Sequence, residues 1–200
     1  VSVDLALTPD LLGWIFSFAL AGMMVGALAL APVADVIGRR ALIIISLLIV
    51  GVSVVLTSKA ESLTPFMILR FISGMGAGAL LASQASLAAE YSPNKYRALS
   101  VAIVTAGYPT GAMMTSVVAG YILPEYGWRT MFLFGGVVTI SMVVVAWFMI
   151  PESLKYLLEK RPVNALTKIN SILAKLKVPK LKELPDLEVK KEKKVSIIGN

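Results

Sequence analysis

Ala31-Pro-Val-Ala-Asp-Val-Ile-Gly-Arg-Arg40 is a short charged turn set between two long apolar runs. No charged side chain occurs from Leu11 to Ala34, and none from Ala41 to Ser58. Runs of that length cross a bilayer core, which takes about 20 apolar residues at about 1.5 Å each. The turn is therefore expected at a membrane surface, and its adjacent Arg39 and Arg40 assign that surface to the cytoplasmic side. Gly38 permits a backbone bend there that other residues resist.

Composition points the same way. The 200 residues are 57% hydrophobic with mean hydropathy +0.80, against about 45–50% apolar in soluble domains. The chain has no cysteine and no histidine. That leaves no disulfide, thiolate ligand or thiol nucleophile, and removes the commonest general base and neutral metal ligand. With no nucleophile–base pair and no metal-ligand set, neither an enzyme nor a metal or cofactor site is expected. The net charge of +7 is uneven: residues 151–200 hold 12 lysines and arginines against 6 acids. Beside membrane spans, such a basic segment marks the cytoplasmic face and anionic lipid rather than a nucleic-acid partner.

Further along, apolar runs predict an all-α membrane bundle over residues 1–150 with five spans, at about 11–33, 41–58, 65–89, 98–123 and 128–150. In the first, Gly22, Gly26 and Ala29 form a small-residue stripe suited to a close helix crossing. The second, rich in Ile, Val and Leu, is expected to be peripheral and lipid-facing. The third carries the polar side chains: Arg70 and Gln84, fourteen residues apart, share one face. In the fourth, Gly107 and Gly111 predict a second close-packing pair, and Thr105 and Tyr108 lie on a common face. Tyr126 and Trp128 fit an interfacial belt. Residues 151–200 read as a basic cytoplasmic linker with an amphipathic helix over Val163–Lys177, its stripe Leu166, Ile169, Leu173 and Leu176. The loop charges place Val1 outside, so an odd number of spans implies a further helix before this chain.

The opening turn resembles Gly-x-Leu-Ala-Asp-Arg-x-Gly-Arg-Arg, a motif of the major facilitator superfamily found between its second and third helices; here Ala31, Val33 and Val36 replace the family's Gly, Leu and Arg. Arg70-Phe-Ile-Ser-Gly-Met-Gly-Ala-Gly78 is similar to the family's basic fourth-helix motif, and Glu90 through Arg97 to its next turn. Pro151-Glu-Ser-Leu-Lys-Tyr-Leu-Leu158 resembles the signature after helix six. Gly107-Tyr-Pro-Thr-Gly111 and Ile122-Leu-Pro-Glu-Tyr-Gly-Trp-Arg129 resemble the aromatic acid/proton symporter group.

The resemblance implies that the five spans are helices two to six of a six-helix bundle. The first helix and the C-terminal half would then belong to the same protein outside this chain. It implies a multi-pass transporter of the cell membrane, working by alternating access, that takes up an anionic aromatic acid together with protons. Arg70, Gln84, Thr105 and Tyr108 become candidate substrate-pathway residues. An Arg within a span is costly unless it faces water, protein or a counter-charge, and it can grip a carboxylate bidentately. Asp35, Gly38, Arg39, Arg40, Glu90, Arg97 and Glu152 become a candidate cytoplasmic gate of ion pairs. A sugar porter is the rival of the same class; a non-transporting membrane sensor or scaffold is the rival of another.

Overall fold

The computed structural model describes residues 9–175 and 179–184, and among them the regular structure is entirely helical. Two units are distinguishable, residues 1–150 and residues 151–200.

In the first unit α1 (Pro9–Val25) continues as a π-helical turn (Gly26–Leu30), a 3-10 turn (Ala31–Val33) and α2 (Ala34–Ile37). Pro32 explains the irregularity. It has no N–H, and its ring clashes with the carbonyl four residues earlier, so the α-helical ladder cannot run through it. The Ala31 N–H instead bonds the carbonyl of Gly26, five residues back. The expected first span is thus helical throughout without being uniformly α. Gly38, at φ 98° and ψ 148°, ends α2, and α3 (Arg39–Thr57) begins at the next residue. Only glycine takes such a φ without strain.

Next come α4 (Leu63–Tyr91), a 3-10 turn (Asn94–Tyr96) and α5 (Arg97–Met149). At about 1.5 Å per residue a straight α5 would reach about 80 Å, far beyond a bilayer core. It is not straight. Gly127 has φ 73° and ψ 177° inside it, and Val104 and Tyr108 line the same cavity as Val138 and Met142. The helix therefore folds back at Gly127, and the expected turn at 124–129 is compressed around that residue. Among the described residues, four helical stretches are long and apolar enough to cross a membrane, the last of them this folded run of 56 residues, Asn94–Met149.

At the centre is α4, which packs against α1 and α3; α3 in turn packs against α5. The α1–α4 crossing is made by backbones. A Cβ built at Gly22 or Gly26 would collide with the carbonyls of Phe71 or Met75, and one at Gly74 or Gly78 with those of Ala19 or Met23. Small residues at these positions let the helix axes approach closely. The α3–α5 crossing is similar: a Cβ at Gly136 would lie 2.8 Å from the Val55 nitrogen.

Three expectations are modified among the described residues. Helix α3 is lipid-facing on one side only: Ile45, Leu48, Val52 and Leu56 are exposed, while Leu42, Ile43, Ile44, Ser46, Gly51, Ser53 and Thr57 are buried. Ser46, Ser53 and Thr57 recur at i, i+7 and i+11, giving a narrow small-residue face; the Ser46 carbonyl lies against Gly76 of α4, whereas α5 meets Gly51 and Val55. Gly107 and Gly111 make no crossing among the described residues, for nothing lies within 4 Å of a Cβ at either. Trp128 is not interfacial but 6% exposed, clustered with Ile15, Ala60 and Phe66. Its ring is edge-on to Phe66 and Phe132, with centroids 5.9 Å apart in each pair. The Gly127 turn aims it inward, while Tyr126 stays exposed.

The second unit holds α6 (Leu154–Lys160) and α7 (Ala165–Lys175). Ser153 caps α6 by accepting the Tyr156 N–H at 3.2 Å, and Arg161 ends it at φ 46°. The predicted amphipathic helix is α7, with Ile169 and Ile172 buried; Leu176 lies outside the described residues. Asn170 clamps the following chain, donating to the Leu181 carbonyl at 3.0 Å and accepting its N–H at 2.8 Å.

Candidate functional site

The first candidate constellation is built at helix ends. Arg39 starts α3 and Glu90 stands one residue before the end of α4. Each is electrostatically misplaced, since a helix dipole disfavours cations at its N-terminus and anions at its C-terminus. They compensate each other: Arg39 Nη1 lies 3.0 Å from Glu90 Oε1, with side chains only 15% and 17% exposed. A cavity of about 310 Å³ beside the pair is lined by Arg39, Ser86, Ala89, Glu90 and Arg97. Arg97 Nη2 also donates to Asn94 Oδ1 at 2.8 Å. On the other side of Arg39, a cavity of about 380 Å³ separates Ala31, Pro32 and Asp35 from Ser83 and Ser86.

Not every predicted member of this constellation joins that pair. Asp35 is exposed on the second cavity. Arg40 turns to α5, where its Nη2 donates to the Trp147 carbonyl and its guanidinium lies 5.3 Å from the centre of the Trp147 ring. Glu152 belongs to the second unit, where its Oε1 accepts the Ser153 N–H at 2.9 Å.

The second constellation is Arg70, within α4. Its guanidinium lies 4.6 Å from the Phe132 ring centre and 5.8 Å from that of Phe66. Stacking on ring faces favours a cation but satisfies no N–H. Its Nε and Nη2 are buried and have no hydrogen-bond partner among the described residues.

Gln84 lies about 21 Å further along α4. With Tyr108 and Thr139 it provides the polar groups of a cavity of about 400 Å³, otherwise walled by apolar side chains such as Leu47, Leu80, Val104 and Met142. Arg70 and Gln84 both face α5, as their spacing requires, but at different depths. Thr105 is not among the lining residues; its hydroxyl donates to the Val101 carbonyl at 2.8 Å on its own helix.

Sequence reasoning missed Phe66, Phe132, Trp147 and Ser83. Phe66 was findable, being four residues before Arg70 and so one turn away. Phe132 and Trp147 arrive from distant positions, and no local spacing announces them.

Long apolar helices crossing through glycine, with a buried guanidinium in one of them and paired charges at their ends, define a multi-pass helical membrane protein. The chain matches the Major Facilitator Superfamily over residues 1–192. A 4-hydroxybenzoate transporter of Acinetobacter baylyi is 31% identical over 182 residues, 91% of this chain and 39% of that protein. A benzoate transport protein of the same organism is 31% identical over 186 residues, 90% of this chain and 39% of that one. Among solved structures, an inward-open xylose transporter from E. coli superposes with TM-score 0.66 at 22% identity, covering 82% of this chain and 42% of that one. The chain belongs to the major facilitator superfamily. It spans about two fifths of the length of the curated relatives it matches.

Proposed function

We propose that this chain is most of the N-terminal helical bundle of a secondary transporter that takes up an aromatic carboxylate with protons. The unsatisfied guanidinium of Arg70 carries this reading. A cation within a span costs about 3 kcal/mol or more to insert. Its two buried N–H-bearing nitrogens want an anionic acceptor that the described residues do not supply, and a carboxylate fits that fork bidentately. The partly exposed ring of Phe132 flanks the same group and suits a ring-bearing acid, while Phe66 packs behind it in the core. Relatives named for 4-hydroxybenzoate and benzoate transport favour the same substrate class. Gln84 and Tyr108 serve as further pathway contacts, with the Thr105 oxygen available as an acceptor.

In this proposal the bundle crosses the cell membrane five times, α5 supplying two crossings either side of Gly127. The Arg39 end and residues 151–200 lie in the cytoplasm. Transport is by alternating access, in which two bundles rock about a midplane site. The Arg39–Glu90 pair is a gate element holding α3 to α4 while the inner side is closed.

Uptake by the full-length protein in proteoliposomes tests the reading. Labelled 4-hydroxybenzoate should accumulate, a protonophore should abolish the accumulation, and xylose should not compete. Arg70→Lys should lose most uptake, because an ammonium does not reproduce the planar fork. Transport of a neutral sugar in place of carboxylates, or full carboxylate uptake by Arg70→Ala, would overturn it.

A further inference from the structure

Arg39 and Arg40 are the first two residues of α3. Successive residues on a helix point about 100° apart, so adjacent arginines must address different neighbours. Arg39 reaches the last turn of α4 at Glu90, and Arg40 the last turn of α5 at Trp147. The second contact has the chemistry of a cap. The last carbonyls of a helix lack partners within it, and α5 ends at Met149. The Ala146 carbonyl is taken by the Ile150 N–H, and the Trp147 carbonyl accepts from Arg40 Nη2. A cation is disfavoured at the start of its own helix and favoured at the end of another, so Arg40 exchanges a poor electrostatic position for a good one. The Trp147 ring lies under the same guanidinium. One residue thus offers both a carbonyl in front of the planar group and a ring against its face.

We propose that Arg40 is a positioning residue. It caps α5 through Trp147 and so yokes the inner end of α5 to the turn that carries the Arg39–Glu90 gate. Neighbouring side chains on one turn of α3 then hold the ends of two other helices, so α4 and α5 close and release together. The cap stands on its own contacts; its consequence for transport rests on the gate reading of the Arg39–Glu90 pair.

The test uses the full-length protein, with any cysteines removed, in oriented membrane vesicles. A reporter cysteine replaces Ser86, which lines both cavities beside Arg39, and the rate of its modification by an impermeant maleimide from the inner side is measured. Arg40→Gln should raise that rate about two- to fivefold, the range implied by an exposed cation–π contact. Arg40→Lys should raise it nearly as much, because a point charge cannot stack and fork together. Trp147→Leu, which keeps every charge, should raise it by a smaller factor. Glu90→Gln is the independent probe of the gate, and adding Arg40→Gln to it should give less than the product of the two effects.

Full rescue by Arg40→Lys would make the residue a plain surface charge and overturn the proposal. So would an unchanged rate in Arg40→Gln while Glu90→Gln accelerates labelling, an outcome that leaves the gate standing. Acceleration by Arg40→Gln with none by Glu90→Gln would keep the cap and remove the gate. If neither variant changes the rate, both ideas fail. Should Arg40→Gln not insert, unchanged labelling in both Arg40→Lys and Trp147→Leu overturns the proposal, and acceleration in both supports it.

Discussion

Replacing Gly26 by alanine adds one carbon at the tightest part of the α1–α4 crossing. That Cβ would lie 2.6 Å from the Met75 carbonyl carbon and 2.7 Å from its Cα, and closer still to its carbonyl oxygen. Ordinary contacts of a Cβ begin near 3.4 Å, so the helices must part by about 1 Å or the backbone must deform. The obstruction is main chain, which cannot rotate aside as a side chain would. Overpacking of this kind costs about 1–3 kcal/mol, offset by up to about 1 kcal/mol from the better helix propensity of alanine. The expected net loss is about 1–2 kcal/mol. Gly120 supplies the control, because nothing lies within 4 Å of a Cβ there; Gly120→Ala should be neutral or slightly stabilising. Thermal unfolding of detergent-purified protein, followed by tryptophan fluorescence, should place the Gly26→Ala midpoint several degrees below wild type, at about 2–4 °C per kcal/mol. Equal midpoints for the two alanine variants would refute the backbone-contact argument, and with it α4 as the centre of the bundle.

Arg39→Gln and Glu90→Gln should couple in a double-mutant cycle by about 1–3 kcal/mol, since the pair is close and largely shielded from water; additive effects on inner-side labelling would reduce it to surface decoration. Pro32→Ala restores the missing N–H and should let α1 run on as a regular helix, rotating Asp35 through Arg40 out of register. The variant should be at least as heat-stable as wild type yet transport poorly, and normal uptake would deny the irregular turn a functional role. A cysteine at Ser62 should react with an impermeant reagent in intact cells while one at Asn94 does not, and the reverse pattern would invert the proposed topology.

The apolar runs determined the helices. Charge-free stretches, one between Arg40 and Lys59 and one after Arg97, left little choice about where α3 and the start of α5 lie. Glycine spacing at Gly22 and Gly26 likewise forecast a close crossing, because a missing Cβ is useful in a span only where another backbone comes near. The same reasoning meets no neighbour at Gly107 and Gly111 among the described residues, since spacing says that a face is small but not which helix covers it. Placing Arg39 and Glu90 at facing helix ends needed only the helix boundaries and the signs of the charges.

What tertiary structure alone decided is which residues from distant parts of the chain meet. Nothing local distinguishes Phe132 or Trp147 from the other aromatics of an apolar run, yet folding back at Gly127 brings Phe132 over Arg70 and Trp147 under Arg40. It also made Trp128 a core residue and left Tyr126 outside. Hydropathy likewise could not separate lipid-facing from protein-facing sides of α3, because lipid and a neighbouring helix are equally apolar surroundings for Ile and Leu. Burial of Ser46, Ser53 and Thr57 is a matter of shape, settled when α4 and α5 close on either side of α3.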